Sequence, residues 1–265
     1  MSQLTADVRE ALHEQVEFRE LLYQIICRDL LVRYKQTAMG FAWAVLTPVL
    51  NTIIFSVLFM RVAPIDTPVA YPLFVFCGLL VWNFTASALK FAVTSLTANT
   101  SLVTKVYFPR EIFPFAAVAV ALVDTAVAAI VLGGMMIYYD VAVTPLLLLL
   151  PLIVIVHSVF TAGLALLLAM ANLFYRDVKY LFDAVLTVWM FASAVVYPAD
   201  SLSGVLGFIV SANPMTAIVE SYRYVVLYGA APPMTLVPAA VVSVALLPAA
   251  WLLFHRSEYR FAENI

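Results

Sequence analysis

The residues that could carry covalent or metal chemistry are few in this sequence and stand far apart. The three histidines are His13, His157 and His255, and the two cysteines are Cys27 and Cys77. Metal and catalytic centres need such side chains, or carboxylates, in clusters, and the sequence contains no HExxH, GxSxG or CxxC pattern. We therefore expect no catalytic centre and no metal site, and we expect both cysteines to act as small apolar side chains.

A phosphate-binding loop is also missing from the sequence. None of the eight glycines is followed by lysine, so the Walker A pattern does not occur. If the protein moves a substrate against a gradient, either another chain hydrolyses ATP or transport is coupled to ions. Ion coupling uses acids inside the membrane, and Asp124 is the one acid deep in a predicted span. Asp124 could instead hydrogen-bond a neighbouring helix or line a wet cavity.

The composition is that of a membrane protein. Of the 265 residues, 65% are hydrophobic and 11% are charged, and the mean hydropathy is +1.01. Soluble domains are roughly 45–50% apolar and about 25% charged, and a chain of this size cannot hide such an excess in its interior. The net charge of −2 gives no basic surface for nucleic acid. The solvent of most of this chain must be lipid.

Long stretches without charged residues mark the predicted spans, because a spanning helix needs about 20 mostly apolar residues. Six stretches are predicted to cross: 36–60, 67–89, 112–139 (interrupted by Asp124), 141–175, 184–199 and 224–255. With these spans, 12 of the 14 Lys and Arg residues lie in the cytoplasm, and only Arg61 and Arg223 lie outside. The sequence thus predicts a single all-α transmembrane domain with both termini in the cytoplasm.

A seventh uncharged stretch, 201–219, is broken by Gly204, Gly207 and Pro214. If it crossed the membrane, Arg256 and Arg260 would move outside, against the positive-inside rule. We expect residues 201–229 to form a re-entrant or surface-lying helical pair on the outer side, of the kind that often marks a transport path. The alternative is a plain amphipathic outer loop.

Two segments on the cytoplasmic side combine charge with apolar residues. In residues 7–35 the apolar residues recur at intervals near three and four, which predicts a helix lying in the membrane interface. It is either a docking surface for a cytoplasmic protein or only an anchor. The loop 99–114 mixes charged and aromatic residues and is interrupted by Pro109 and Pro114. It is either a short helix that fits a cleft in a partner or a simple connection.

Four sequence motifs resemble those of a known family. They are RDLLVRYKQTAMGFAWAVLTPVL (28–50), KVYFPREIFP (105–114), FYRDVKY (174–180) and NPMTAIVESYR (213–223). In order and spacing they are similar to the permease subunits of polysaccharide ABC exporters, in the type-2 ABC exporter superfamily. That group includes the O-antigen, capsule and teichoic acid permeases. The first two motifs together are specific, and the resemblance covers nearly the whole chain.

The resemblance implies a homodimer of this chain with two copies of a separate ATP-binding subunit, in the bacterial inner membrane. That subunit would bind ATP and Mg²⁺, so no cofactor is expected in this chain, and the cargo would be a lipid-linked polysaccharide. The resemblance also implies a coupling helix at about 99–111 and gate helices at about 201–227. The residues it places near the ATPase are Lys105, Tyr107, Phe108, Arg110 and Glu111 on the coupling helix, and Arg28, Asp29, Arg33 and Tyr34 on the interface helix.

Aromatic side chains are candidates for the glycan path, because sugar C–H faces pack on aromatic rings. The candidates are Tyr71, Phe74, Trp82, Tyr197, Tyr222 and Tyr224. Each could instead anchor a helix at the membrane interface. Glu220 and Arg223 are three residues apart and could pair on one helix face, either to hold a gate shut or only to satisfy each other. The rival functions are a type-2 permease for drugs or other lipids, an ion-coupled transporter and a membrane-embedded glycan transferase.

Overall fold

The structure is a computed structural model that describes residues 16–35, 40, 42–62, 64–105 and 108–261. Every regular element within these residues is helical. In chain order the helices are α1 (Arg19–Tyr34), α2 (Ala42–Val57), α3 (Tyr71–Ala98), α4 (Thr100–Lys105), α5 (Ile112–Tyr138), α6 (Leu150–Phe174), α7 (Val178–Phe191), α8 (Gly204–Ala212), α9 (Pro214–Val226) and α10 (Leu236–Ser257). A π-helical turn, Leu58–Val62, extends α2, and 3₁₀ turns lie at Pro145–Leu149, Ala199–Ser201 and Glu258–Arg260.

Five of these helical stretches are long and apolar enough to cross a membrane. They are Ala42–Arg61, Tyr71–Ala98, Ile112–Tyr138, Pro145–Phe174 and Leu236–Arg260. They coincide with the first four predicted spans and the last one. The prediction of an all-α polytopic membrane protein is confirmed.

Helix α3 is the centre of the bundle, with 78% of its most apolar window buried. It packs against α5 and α6, and also against α2, α7 and α9. In lipid there is no hydrophobic driving force between apolar helices, so helix association in membrane bundles depends on close packing of small side chains. Alanines line these contacts, and a Cβ built on Gly163 of α6 would lie 2.9 Å from the Leu246 side chain of α10. The absence of a side chain at Gly163 therefore lets α6 and α10 approach closely.

The bundle has two distinct ends. We call one the basic end, because Arg28, Lys90, Arg110, Arg176 and Arg256 lie there, around α4 and the last turns of α3, α6 and α10. We call the other the hairpin end, because the helical pair α8–α9 enters the bundle from it. Helix α3 runs from the hairpin end at Tyr71 to the basic end at Ala98.

The fifth predicted span is only partly helical. Helix α7 has 14 residues, or about 21 Å, and ends at Phe191 rather than at residue 199. Near its start Asp183 pairs with Lys90 at 3.3 Å, and beyond its end the Val196 carbonyl accepts a hydrogen bond from Tyr71 Oη at 2.8 Å. Lys90 and Tyr71 are 19 residues apart on α3, roughly 28 Å, close to the ~30 Å hydrocarbon core. The fifth predicted span therefore corresponds to α7 and an irregular segment, residues 192–197, and the bent pair α8–α9 is a further candidate span.

Helices α8 and α9 form an apolar pair bent by 77°. Asn213 makes the bend and caps α9, its Oδ1 accepting a hydrogen bond from Met215 N at 3.0 Å, and Pro214 follows at the first helical position. Thr85 Oγ1 donates to Met215 Sδ at 3.7 Å. Thr85 lies 14 residues from the start of α3, roughly 21 Å deep. The region is thus a bent helical pair, a form shared by a broken span and a re-entrant loop.

Candidate functional site

A polar stripe runs along the half of α3 nearest the basic end. It consists of Asn83, Ser87, Lys90, Thr94 and Thr97, at spacings of four, three, four and three residues, which places all five on one helix face. All five are at least partly exposed, whereas most of α3 is buried. In so apolar a chain, a polar stripe on the central span indicates a surface that meets water or a polar substrate.

The polar stripe faces a groove between α2, α3 and α5. The groove encloses a cavity of about 430 Å³, whose lining includes Trp43, Thr47, Asn83, Ser87, Lys90, Phe91, Thr94 and Asp124. Asn83 Nδ2 is buried and has no hydrogen-bond partner among the described residues. A groove of this composition inside a membrane bundle can hold water or hydroxyl-rich ligands.

The helices on either side of the polar stripe are poorly covered by the rest of the chain. Only 11% of the apolar window of α2 is buried, and Ile54 and Val57 are exposed. On α7, Leu181 and Val188 are exposed to a similar degree. These apolar faces must meet lipid or another chain.

The irregular segment 192–197 is held by Arg223, a fully buried side chain of α9. Arg223 Nη1 donates to the Ala194 carbonyl at 2.9 Å and to Glu220 Oε1 at 2.8 Å, and Nη2 donates to the Val195 carbonyl at 2.5 Å. The guanidinium also stacks on the Phe74 ring, 3.6 Å from its centroid. Unwound backbone at membrane depth survives only where its polar groups find partners. The predicted Glu220–Arg223 pair is present, but no sequence pattern indicates that Arg223 also binds backbone carbonyls.

A second side chain completes this arrangement from the bend of the hairpin. Asn213 Nδ2 donates to the Ala192 carbonyl and to Ser193 Oγ, both at 2.9 Å. Gly78 of α3 lies against the same segment, and a Cβ there would meet the Val195 carbonyl and the Arg223 guanidinium. The irregular segment 192–197 is thus fixed by α3, by α9 and by the bend between α8 and α9.

The aromatic path candidates lie mainly inside the protomer. Tyr71, Phe74 and Trp82 are buried, and Trp82 packs edge-on against Trp189 of α7. The remaining three are half-buried: Tyr197 donates to the Phe191 carbonyl, Tyr222 packs against His157, and Tyr224 packs against Tyr228. The structure thus brings these rings together around the hairpin end rather than along the groove.

Asp124 is engaged by the last turn of α1. Its carboxylate forms an ion pair with Arg33 and accepts a hydrogen bond from Tyr34 Oη at 2.5 Å. Burial, followed by this hydrogen bond, raises the pKa of Tyr34 to about 12, so the phenol stays protonated and remains a donor at physiological pH. Arg33 also stacks on Phe91, 3.8 Å from the ring centroid. Asp124 therefore fastens α1 to the bundle beside the groove.

The other predicted coupling residues lie at the basic end. Arg28 and Asp29 form a half-exposed ion pair at 2.8 Å. Phe108 and Glu111 are 4% and 1% exposed, so in this conformation other residues form the surface that a partner can touch. Arg110 donates to the carbonyls of Val103 and Glu258. Tyr107 and the side chain of Lys105 lie outside the described part of the chain.

One cluster at the basic end was missed by the sequence analysis, which expected no grouping of histidine and carboxylates. Glu111, His255 and Glu258 each offer a ligand atom, and these atoms lie within 4.8 Å of one another. His255 and Glu258 are three residues apart, a spacing that could have suggested a pair, but no sequence pattern joins them to Glu111, 144 positions before His255. Only the contact between the ends of α5 and α10 brings the three together.

The fold and the polar groove define a multi-pass membrane transport protein, and comparison with known proteins identifies its family. The chain belongs to the ABC-2 type transporter family, whose model matches residues 20–227. It is 30% identical over 258 residues to the O-antigen export system permease protein RfbA of Myxococcus xanthus, covering 95% of this chain and 98% of that protein. It is also 27% identical over 247 residues to a protein of the same name from Klebsiella pneumoniae, covering 92% of this chain and 94% of that protein.

Proposed function

We propose that this chain is the membrane-spanning subunit of an ATP-driven exporter that moves a lipid-linked polysaccharide, O-antigen, across the bacterial inner membrane. The observation that carries the proposal is the polar stripe of α3, which lines an open groove in an otherwise apolar bundle. The names of the relatives support the cargo. Sugar hydroxyls need polar partners in a membrane, and Asn, Ser, Thr and Lys side chains supply donors and acceptors.

The basic end faces the cytoplasm in this proposal. Lys and Arg residues concentrate in loops on the cytoplasmic side of membrane proteins. This orientation places the hairpin end outside and both termini in the cytoplasm. Polysaccharide would enter at the basic end beside Lys90 and leave past the hairpin end.

The functional unit is a dimer of this chain. The groove is open on one side, and the exposed apolar faces of α2 and α7 lie on either side of the polar stripe. A second copy that covers these faces would turn two grooves into one channel. The alternative cover is lipid, which would leave the polar stripe against hydrocarbon at a cost of several kcal/mol for each unsatisfied group.

Two copies of a separate ATP-binding subunit dock at the basic end and bind ATP and Mg²⁺. Their closure would push on α4 and on the loop to α5, and α1 would carry part of that motion to Asp124 at the groove. This chain then has a transport role and no catalysis of its own. Because the Asp124 carboxylate already binds Arg33 and Tyr34, a proton or sodium relay through it has little support.

The first test is a co-purification. The chain is co-expressed with an ATP-binding subunit encoded beside its gene and purified through a tag on this chain, and ATP hydrolysis is measured. A stoichiometric complex with ATPase activity, lost when residues 105–111 are scrambled, supports the proposal. A chain that purifies alone and transports without ATP contradicts it and returns attention to ion coupling.

The second test blocks the groove. Ser87→Trp places a bulky ring on the polar stripe, and ATP-dependent uptake of lipid-linked polysaccharide into inverted vesicles should fall at least tenfold while the complex still assembles. The matched control is Ile130→Trp, on an exposed face of α5 outside the groove, which should keep normal uptake. Equal uptake by both variants would exclude the groove as the path. Uptake of a lipid without glycan would favour a permease for other lipids.

A further inference from the structure

Three side chains from distant parts of the sequence meet at the basic end with the spacing of metal ligands. Glu111 immediately precedes α5, His255 lies in the last turn of α10, and Glu258 begins the 3₁₀ turn that follows. His255 Nδ1 lies 3.3 Å from Glu111 Oε1 and 3.8 Å from Glu258 Oε2. A tetrahedral ion with bonds of about 2.1 Å holds its ligand atoms roughly 3.4 Å apart. The two separations from His255 are therefore close to those around one bound ion, and all three ligand atoms lie within 4.8 Å of one another.

A separate observation at Glu111 points to a cation. This side chain is 1% exposed, and its Oε2 atom is buried without a hydrogen-bond partner among the described residues. A buried oxygen of a carboxylate that lacks a hydrogen-bond partner costs more free energy than a buried neutral group that lacks one. A positive ion bound to the Glu111 carboxylate would satisfy that oxygen.

The surrounding groups already orient the carboxylates. Trp251 Nε1 donates to Glu111 Oε1 at 3.2 Å. On the other side, Arg110 N donates to Glu258 Oε1 at 3.1 Å, which leaves Glu258 Oε2 directed at His255. Metal-binding carboxylates in proteins are commonly held by such secondary hydrogen bonds. Glu258 thus has one oxygen held by Arg110 and the other directed at His255, whereas Glu111 has Oε1 beside both Trp251 and His255 and leaves Oε2 without a partner among the described residues.

The donor set selects the class of ion. One imidazole and two carboxylates suit Zn²⁺ and similar divalent transition metals, whereas Mg²⁺ and Ca²⁺ prefer sites built of oxygen alone. In their ionised forms the two carboxylates beside Arg110 carry a net charge of −1, which a divalent ion offsets. We propose that Glu111, His255 and Glu258 bind one divalent transition metal ion, with Zn²⁺ as its representative and water as the fourth ligand.

The ion would add a direct link between two elements that are already joined by hydrogen bonds of Arg110 and Trp251. Glu111 ends the segment that connects α4 to α5, and Glu258 follows the last predicted span. A bound ion would therefore fix the end of the predicted coupling segment against the end of α10. The inference does not depend on the proposed cargo, and it can be tested without any transport measurement.

The test uses the full chain purified in detergent through a tag without histidines, stripped with EDTA, exposed to Zn²⁺ and desalted. We expect about one Zn²⁺ per chain by elemental analysis. We also expect the unfolding midpoint to rise by roughly 5 °C at a hundredfold excess over Kd. No retained Zn²⁺ and no shift in the midpoint would overturn the proposal and leave a hydrogen-bonded network.

Variants assign the ion to these residues. His255→Gln should lose the Zn²⁺, and Asp200→Asn, an exposed acid at the hairpin end, should keep it. Because His255→Gln could fail to fold, His255→Cys provides a second measurement. It retains three ligands and should bind Co²⁺ with a thiolate-to-cobalt absorption band that the parent chain lacks. Zn²⁺ retained by His255→Gln, or no such band in His255→Cys, would place any bound ion elsewhere.

Discussion

Two buried charged side chains, one at each end of the bundle, differ in how many partners the fold provides for them. At the hairpin end Arg223 is 0% exposed and contacts two backbone carbonyls, the Glu220 carboxylate and the face of Phe74, and only its Nε atom has no partner among the described residues. At the basic end Glu111 is 1% exposed and receives contacts on one oxygen only. Its charged neighbours include a second carboxylate, Glu258.

The difference indicates that the hairpin end is held by contacts within the protomer. At the basic end, by contrast, a carboxylate oxygen of Glu111 remains available to an ion or a partner. A buried cation with several partners holds unwound backbone in one arrangement. The unpaired oxygen of Glu111 and the unpaired amide of Asn83 in the groove are satisfied fully only by water, an ion or a second chain. The variants below test that contrast.

The largest effect is expected at Arg223. Arg223→Met keeps much of the apolar volume but removes every donor from the Ala194 and Val195 carbonyls and leaves Glu220 without its cation. Breaking a buried pair from one side costs about 3–5 kcal/mol, so the yield of folded protein and the thermal midpoint in detergent should both collapse. Arg61→Met, at an exposed position, is the control and should behave like the parent. Comparable stability of the two variants would show that the hairpin end does not depend on Arg223.

A smaller loss is expected at Gly78. In Gly78→Ala the new methyl group would collide with the Val195 carbonyl and with Arg223, and overpacking of this kind costs about 1–3 kcal/mol. Gly134→Ala is the matched control, since a Cβ there meets nothing within 4 Å and alanine favours helix by about 1 kcal/mol. The two midpoints should move in opposite directions. If both midpoints shifted in the same direction, the segment 192–197 would have to move aside for the methyl group at little cost in free energy.

Much of the fold could be predicted because lipid imposes simple demands on a sequence. Uncharged stretches of about 20 residues and the asymmetry of Lys and Arg are enough to place most spans. Prediction failed at the fifth span, where hydropathy extends to residue 199 but the helix ends at Phe191. The helix ends there because of tertiary contacts. Backbone carbonyls that would accept hydrogen bonds within an α-helix accept them from Arg223, Asn213 and Tyr71 instead.

The candidate site was less predictable than the fold for a similar reason. The polar stripe from Asn83 to Thr97 has a clear helical period and could have been found from the sequence alone. The cluster of Glu111, His255 and Glu258 could not, because neither a span count nor a local motif specifies which helix ends meet. Asp124 was recognised as unusual, but its partner Arg33 lies 91 positions away.

At Asp124 we expect a moderate effect that depends on Arg33. Asp124→Asn keeps a hydrogen-bond acceptor for Tyr34 but removes the ion pair with a partly buried Arg33, at a cost of about 1–2 kcal/mol. In a double-mutant cycle, Arg33→Gln should lower the free energy of unfolding much less in the Asp124→Asn background than in the parent chain. Thermal midpoints of the four proteins give the coupling. Additive losses would show that the two residues act independently, and transport abolished by Asp124→Asn in a fully folded complex would revive ion coupling.

The smallest change in stability is expected for the exposed pair between Lys90 and Asp183. Its side chains are 54% and 61% exposed, and such pairs contribute about 0–1 kcal/mol, so Lys90→Gln and Asp183→Asn should both unfold close to the parent midpoint. Their transport should nevertheless differ, because Lys90 stands on the polar stripe, whereas Asp183 is only its partner on α7. ATP-dependent uptake should fall for Lys90→Gln and change less for Asp183→Asn. Equal losses of uptake would instead mean that the ion pair matters because it holds α7 beside α3. In that case α7 would belong to the part of the bundle that must stay fixed during transport.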